Sequence, residues 1–383
     1  MTKQPSYRFM SYIEPWEEKK LGNLGSVEMC RRIFKEETSA EFEIPFFKIG
    51  TFGGEADTYI TREKFEEYKT KFAYPQRGDL LLSASGSIGR VVEYDGDEAY
   101  YQDSNIVWLN HHGKINNKFL KAFYEIVSWS GIEGTTIKRL YNKNILETDI
   151  SLPSLPEQTA IGSFFQDIDQ LISLQQRKLE VLKEQKKTYL KLLFPAKGQT
   201  KPDLRFAGFE DEWKEVKLGD FVEIYKGIQR NKEFLSPNAD SKNCYPVYNG
   251  GKQESGYTDE FNREGNIMIS EGGASAGFVN YFDGKYWSGG HNFTIDELEN
   301  DINYVLALLE SQQQELYSLQ VGSGLPNIQL NSLKKVIITF PAFLEQQAIG
   351  SFFQDLDKAI AKQEEKVNQL KESKQTLLRK MFI

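Results

Sequence analysis

The sequence is poor in the residues from which disulfides and metal centres are built. Its 383 residues include two cysteines and three histidines. Cys30 and Cys244 lie at no metal-ligand spacing from His111, His112 or His291. We therefore expect neither a disulfide nor a zinc site.

The motifs of nucleotide and group-transfer chemistry are also missing. The sequence has no G-x-x-x-x-G-K-[ST] loop, no G-x-G-x-x-G after a strand, no H-E-x-x-H, and no Asn-Pro-Pro-aromatic tetrapeptide for methylating an exocyclic amine. A fused modification enzyme would need one of these. We expect a chain that is not an enzyme and binds no cofactor of its own.

Long apolar runs are absent too. No stretch of about eighteen apolar residues could span a bilayer, and the start, MTKQPSYRFM, lacks the apolar core of a signal peptide. With 39% hydrophobic and 13% aromatic residues, the chain can build two sizeable cores. These features predict a cytoplasmic protein of two globular domains without a membrane partner.

Positive charge is in short supply, because the formal net charge is −8. Most of the excess acid lies between residues 202 and 340. Proteins that hold nucleic acid unaided usually neutralise phosphates with Lys and Arg. A DNA-binding chain of this composition must cluster its basic residues locally or obtain positive charge from a partner.

What the sequence does contain is a repeat. The octapeptide AIGSFFQD occurs from Ala160 to Asp167 and again from Ala348 to Asp355, within segments 153–195 and 341–383 that align without a gap. PSYRFMSYIEPWEEKKLGN from Pro5 also aligns with PDLRFAGFEDEWKEVKLGD from Pro202. The pattern predicts a duplicated chain in which a variable block, 1–152 or 202–340, precedes a fixed block, 153–201 or 341–383.

The fixed blocks have the periodicity of long helices. Residues 157–194 contain a single glycine and no proline, and a helix of that length would extend about 57 Å. Spacings of three and four residues define one seam on each predicted helix, 157–194 and 345–382. The seam positions are Ile168, Ile172, Gln175, Leu179, Leu182 and Lys186 in the first copy, and Leu356, Ile360, Gln363, Val367, Leu370 and Lys374 in the second.

Polar residues interrupt both seams at equivalent places. If the helices are antiparallel, Gln175 would meet Lys374 and Lys186 would meet Gln363, which would fix their register. The alternative is that these residues lie at the wet edge of ordinary amphipathic helices. Asp167 and Asp169, repeated as Asp355 and Asp357, point in different directions on a helix and cannot chelate one ion; we expect solvated acids.

The variable blocks alternate as strands do, each with a helix near its end. Strand patterns occur in FEIPFFKIG, DLLLSAS, GRVVEYDG and SNIVWL, and again in YPVYNGG, GNIMIS, AGFVNYFDG and HNFTI. The predicted fold class is α+β, with two mixed domains in pseudo-twofold tandem separated by two long antiparallel coiled-coil helices. The glycine-rich segments 86–89 and 271–277 are either tight turns or phosphate cradles.

The repeated IGSFFQD helix block and the Trp-x-x-x-Lys-Leu-Gly opening of each half resemble the specificity subunit of type I restriction-modification systems. The resemblance implies that 1–152 and 202–340 are target recognition domains, each reading one half of a split site in double-stranded DNA, and that 153–201 and 341–383 form a helical spacer. It also implies two methyltransferase subunits and restriction (endonuclease/translocase) subunits as partners. S-adenosylmethionine, ATP and Mg would then belong to those partners.

The loops that precede the long helices, 134–144 and 322–332, and the neighbouring turns carry side chains suited to DNA contact. The candidates are Arg90, Thr135, Lys138, Arg139 and Asn142 in the first block, and Arg230, Asn249, Lys252, Ser323 and Asn327 in the second. A rival function is a coiled-coil scaffold whose two globular heads bind proteins, for which negative charge would be natural.

Overall fold

The computed structural model describes residues 4–129, 131, 138–322 and 324–382. The chain divides into two compact units. The first runs up to Gln175 and resumes at Lys366, and the second is Gln176–Glu365. Each unit therefore contains one globular part and a segment of both long helices.

The globular part of the first unit is built from short strands and helices. In chain order these are β1 Glu17–Lys20, α1 Leu21–Leu24, β2 Ser26–Glu28, β3 Ile44–Phe47, β4 Tyr59–Ile60, α2 Arg62–Lys71, β5 Leu80–Ser83, β6 Val91–Glu93, β7 Tyr100–Tyr101, β8 Ile106–Asn110, α3 Asn117–Tyr124, α4 Asn142–Leu146 and β9 Asp149–Leu152. They form sheets of order β2-β8-β5-β6, β4-β3-β7 and β1-β9.

The central strands of this part are buried along most of their length. β5 (LLLS) is buried throughout and β8 (IVWLN) at all but its last residue, as expected of strands covered on both faces. Helix α3 begins where the Asn116 side chain accepts hydrogen bonds from Lys118 N and Phe119 N. Its buried face carries Phe119 and Phe123 into the same core as β5 and β8.

The rest of the chain continues through the first long helix into the second globular part. Its elements are α5 Leu155–Leu192, β10 Lys214–Lys217, α6 Leu218–Phe221, β11 Glu223–Lys226, β12 Tyr245–Tyr248, β13 Tyr257–Thr258, β14 Arg263–Ser270, β15 Val279–Ser288, β16 Asn292–Asp296, α7 Ile302–Ser311, α8 Gln313–Ser318, α9 Leu330–Lys334, β17 Ile337–Phe340 and α10 Phe343–Met381. The sheets have the order β11-β16-β14-β15-β12-β13 and β10-β17.

The two globular parts share one plan. The antiparallel pair β5–β6 corresponds to β14–β15, and the parallel pair β3–β7 corresponds to β12 with the end of β15. In the first part the corresponding segment is divided into two strands, β6 and β7. In the second part it forms one strand, β15, of 10 residues. The predicted fold class is confirmed, and the glycine-rich segments are turns between paired strands, with Gly86 and Gly89 at φ 65° and 87°.

The long helices, 38 and 39 residues in length, run antiparallel within each unit. In the first unit the Phe382 ring, just after α10, lies 6.2 Å from that of Phe165 near the start of α5. Further along α5, Asp169 contacts Lys374. In the second unit Phe194, just after α5, lies 6.0 Å from Phe353 near the start of α10.

A bidentate ion pair fastens each globular part to the start of a long helix. Arg8 Nε and Nη2 donate to the two carboxylate oxygens of Glu157, both at 2.7 Å. Arg205 contacts Glu345 in the same way at 2.7 and 2.8 Å. These hydrogen bonds raise the pKa of both arginines. We call the two pairs the clasps.

Close backbone approach explains the glycine in the repeated octapeptide. A Cβ on Gly162 would lie 2.6 Å from Phe119 N, and one on Gly350 would lie 2.7 Å from Tyr304 N. Each long helix thus crosses the first turn of α3 or α7 at a distance that only glycine permits. The repeated octapeptide therefore marks two equivalent packing positions, one of α5 on α3 and one of α10 on α7.

Cys30 and Cys244 are free thiols. Among the described residues, no cluster of three or more His, Cys, Asp or Glu side chains could hold a metal ion. In the same part of the chain, no helix is long and apolar enough to cross a membrane.

Candidate nucleic-acid interface

In the first globular part, the turn after β5 meets the loop before α4. Leu140 N donates to Ala84 O at 2.8 Å, and Ser85 forms an antiparallel β-bridge with Arg139. Two segments far apart in sequence therefore share one surface. We call this contact the first junction.

Most of the first set of candidate side chains lies near this junction. Arg90 closes the β5–β6 turn, where its N donates to Ser83 Oγ and its Nη2 to Gly53 O, both at 2.9 Å. Arg139 Nη2 donates to Asn105 Oδ1 at 3.0 Å. Neighbouring Lys138 is exposed, Asn142 is the half-buried first residue of α4, and Thr135 lies outside the described residues.

The second globular part repeats this arrangement. Ile328 N donates to Glu271 O at 2.8 Å, and Gly272 forms an antiparallel β-bridge with Asn327. The turn after β14 thus meets the loop before α9, just as the turn after β5 meets the loop before α4. We call this contact the second junction.

A cleft of about 680 Å³ opens beside the second junction. It brings together the candidates Asn249 and Asn327 and adds Lys226, Glu271 and His291. Lys226 Nζ lies 2.7 Å from a Glu271 carboxylate oxygen, and His291 Nδ1 lies 3.8 Å from the other.

No motif in the sequence pointed to the last three side chains. The signal that could have found Glu271 and His291 is their place beside glycine pairs, Gly272-Gly273 and Gly289-Gly290. Lys226 is engaged by the Glu271 carboxylate, so the pair adds no net positive charge to this cleft.

The remaining candidates of the second block lie apart from the lining of this cleft. Arg230 is held by Asp259 at 2.7 Å and Glu260 at 3.0 Å, and its guanidinium lies 4.5 Å from the Trp287 ring centroid. Lys252 is exposed, with its ammonium 5.3 Å from the Phe278 ring. Ser323 lies outside the described residues.

The predicted seam positions form the less exposed stripe of each helix. Between residues 170 and 188 of α5, the residues that are not exposed are Ile172, Gln175, Leu179, Leu182 and Lys186. In α10 the predicted positions Leu356, Ile360, Gln363, Val367, Leu370 and Lys374 are all buried or half-buried. Ile168, nearer the start of α5, is half-buried and packs on the core of the first unit.

The seam lysines each lie between two carboxylates. Lys374 Nζ contacts Asp169 of α5 and Glu125, which ends α3, the latter at 2.6 Å. Its side chain is 9% exposed. Asp169 is partly solvated as expected, with 39% of its side chain exposed, but the helix crossing also places it opposite a lysine. The seam pattern predicts that Lys374 meets Gln175 and gives no sign of these carboxylates.

The second unit builds the equivalent group. Lys186 Nζ lies 2.8 Å from Asp357 and 2.7 Å from Glu310 of α7, and the Asp357 side chain is likewise partly solvated. Burial disfavours the Lys186 ammonium, but attraction by Glu310 and Asp357 prevails and raises its pKa. Burial raises the pKa of Glu310. We call the two groups the lysine triads.

The chain thus combines a duplicated α+β fold with two equivalent junctions. Residues 13–184 and 210–372 match the family model of the type I restriction modification DNA specificity domain. The chain belongs to this family.

Relatives in this family differ in how much of the chain they match. A Haemophilus influenzae protein named as a type I restriction enzyme specificity subunit is 50% identical over 153 residues, which is 40% of this chain and 40% of that protein. The chain thus aligns with less than half the length of that relative. The type I restriction enzyme MjaVIII specificity subunit of Methanocaldococcus jannaschii is 23% identical over 331 residues, 79% of this chain and 74% of the relative.

Solved structures share the fold over nearly the whole chain. The S subunit of a type I restriction-modification system from M. genitalium has a TM-score of 0.68 at 19% identity, covering 100% of this chain and 99% of that one. A chain from work on complex assembly and conformational transition of the type I R-M system has a TM-score of 0.56 at 17% identity, covering 97% and 98%.

Proposed function

We propose that the chain reads a bipartite DNA target, two half-sites separated by an unread spacer, and directs partner methyltransferase and restriction subunits to it. The observation that carries the proposal is the junction built twice on one backbone plan with different side chains. Two such surfaces suit two half-sites of different sequence, because specificity depends on the side chains that reach base edges.

The proposal assigns recognition to this chain and chemistry to its partners. Two methyltransferase subunits would contribute S-adenosylmethionine, and restriction subunits ATP and Mg; this chain would bind none of these cofactors and catalyse no step. With a net charge of −8, it would also rely on partner subunits for part of the phosphate contact.

Spacer length would follow from the long helices. Each clasp fixes a globular part to the start of one helix, and a helix advances about 1.5 Å per residue without bending sharply. A fixed helix length therefore selects a fixed number of unread base pairs.

The decisive experiment is to produce the chain with its cognate methyltransferase subunits in a host that lacks methylation of its own and to map modified bases. We expect one bipartite motif with a constant spacer. Methylation without such a motif would contradict the proposal. Weak DNA binding by the assembled complex, together with capture of other proteins, would favour the scaffold function instead.

A further inference from the structure

The two junctions present one structurally equivalent position to the surface. Arg139 bridges Ser85 in the first, and Asn327 bridges Gly272 in the second. In both, the next residue is the apolar anchor: Leu140 and Ile328 are each 1% exposed. α4 and α9 then begin at Asn142 and Leu330, equally far along the chain.

The fold does not require a particular side chain at this position. The junctions are held by backbone hydrogen bonds, from Leu140 N to Ala84 O and from Ile328 N to Glu271 O. Asn327 is further fixed by backbone bonds to Val321 in both directions, at 2.9 and 3.0 Å. Arginine and asparagine occupy the same place without changing the backbone, so the side chain there is free to serve recognition.

The two residue types match different base edges. An arginine fork donates two hydrogen bonds to O6 and N7 of guanine, whereas an asparagine amide pairs with N6 and N7 of adenine. Arg139 is the better placed arginine, because Arg230 is occupied by Asp259 and Glu260.

We propose that Arg139 and Asn327 are equivalent specificity determinants, which read one guanine in the first half-site and one adenine in the second. This inference rests on the proposed function and names, for each half-site, the residue that recognises one of its base pairs. Asn105 steadies one edge of the Arg139 guanidinium. Backbone anchoring on both sides gives the precision that base recognition needs.

The test uses the full-length chain assembled with its methyltransferase subunits. Arg139→Asn should change one G·C pair of the first half-site to A·T, or make that position degenerate, and leave the second half-site and spacer intact. Asn327→Arg should act in the same way on one A·T pair of the second half-site. Lys138→Ala is the matched control: it should lower methylation at every site without changing the motif, as a phosphate contact would.

Binding of the purified complexes to duplexes with one base pair changed at a time supplies a second readout. At the assigned position, discrimination of about tenfold or more should disappear in Arg139→Asn. A merely structural role would weaken all duplexes alike, and this result would overturn the inference. If Arg139→Asn does not fold, Arg139→Lys, which keeps the charge but not the fork, decides in the same assay.

The outcomes separate this inference from the function on which it rests. A wild-type complex without a bipartite motif refutes the proposed function. A wild-type complex with such a motif refutes only the inference if both substitutions leave the motif unchanged. A first half-site without any G·C pair, or a second without any A·T pair, overturns it directly.

Discussion

Arg8 and Arg205 each place a guanidinium against a carboxylate that is almost fully buried. The Glu157 side chain is 1% exposed and that of Glu345 is 2% exposed. Such pairs add little stability compared with a well-packed apolar contact, but the loss of one partner leaves the other charge buried without a counter-ion. The clasps therefore matter most when they are broken.

Glu157→Ala should lower the free energy of unfolding by about 3 kcal/mol, because it leaves the largely buried Arg8 side chain without its counter-ion. Urea denaturation measures the effect. Glu67→Ala, which removes one partner of an exposed pair with Lys71, is the control and should change stability by less than about 0.5 kcal/mol. Equal effects of the two substitutions would mean that the clasp has no special role.

At the scale of elements, each lysine triad joins three helices by one ammonium group. Lys374 of α10 contacts Asp169 of α5 and Glu125 at the end of α3. Removing the lysine leaves two partly exposed carboxylates close together without their counter-charge. Repulsion then replaces attraction.

Lys374→Leu should consequently destabilise the first unit, by about 2 kcal/mol or more, although leucine suits a helix seam. Adding Asp169→Leu should recover part of the loss, since it removes one of the stranded charges. Thermal melting of the single and double variants checks both steps. A single variant more stable than the wild type would show that the triad is dispensable.

Stability near Glu310 should depend on pH. Burial raises its pKa above the usual 4.5, so the folded protein takes up this proton at a higher pH than the unfolded chain does. The contribution of Glu310 to the free energy of unfolding should therefore rise as pH falls from 7 towards 4.5. Denaturation across that range gives the free energy of unfolding of the wild type minus that of Glu310→Gln, which isolates this titration. This difference should become more positive on acidification, and a constant or falling value would contradict the prediction.

Periodic features of the elements could be predicted from the sequence, and contacts between distant segments could not. The seam positions such as Leu179 and Val367 follow from local spacing, because a helix repeats every few residues. The carboxylates around Lys374 come from Glu125 and Asp169, and nothing in the spacing shows that these three residues meet. Likewise, Arg8 and Glu157 could each be aligned with its repeat, but their pairing required the fold.

For the candidate DNA interface, the sequence indicated which segments to consider but not how their side chains are arranged. The loops before α4 and α9 were recognised by their polar, glycine-opened composition. That they lie against the turns after β5 and β14 depends on sheet order. Arg230 illustrates the difference: its residue type suggests base contact, and its neighbours Asp259 and Glu260 engage it instead.

For the whole molecule, modularity is the first expectation. Exchanging residues 1–152 for the corresponding block of a relative should change one half-site and leave the other half-site and the spacer intact, because the junction travels with the block and the helices do not. Methylome mapping of the chimaera with the same methyltransferase subunits gives the answer. A change in both half-sites would show that the two globular parts do not read independently.

A second expectation concerns a fragment that ends near Gly198. It loses the α10 seam and exposes its own apolar stripe, which would cost about 10 kcal/mol for roughly seven large side chains. A second copy of α5 can replace α10, because the seams share one pattern. We therefore expect a C2 homodimer that directs methylation to a palindrome of the first half-site. The spacer could shift by about one base pair, since the connection after Lys197 is lost.

Charge reversal at residues of the lysine triads tests whether this dimer forms. Lys186 is equivalent to Lys374, so in the dimer it should contact Asp169 and Glu125 of the other copy. Lys186→Asp should give a monomer in sedimentation at micromolar concentration, and Lys186→Asp with Asp169→Lys should restore the dimer. A monomeric unmodified fragment would contradict the seam argument, and a dimer that modified a non-palindromic site would contradict one half-site per globular part.

Strands β1 and β9 pair from Glu17 with Leu152 to Lys20 with Asp149, so the chain enters and leaves the first globular part through two adjacent strands. β10 and β17 do the same for the second, from Lys214 with Phe340 to Lys217 with Ile337. In the gene, two crossovers within the codons of such a strand pair would transfer a complete module with matched ends. Under the proposed function, such an exchange would give the chain a new target and leave the sequences of both long helices, α5 and α10, unchanged.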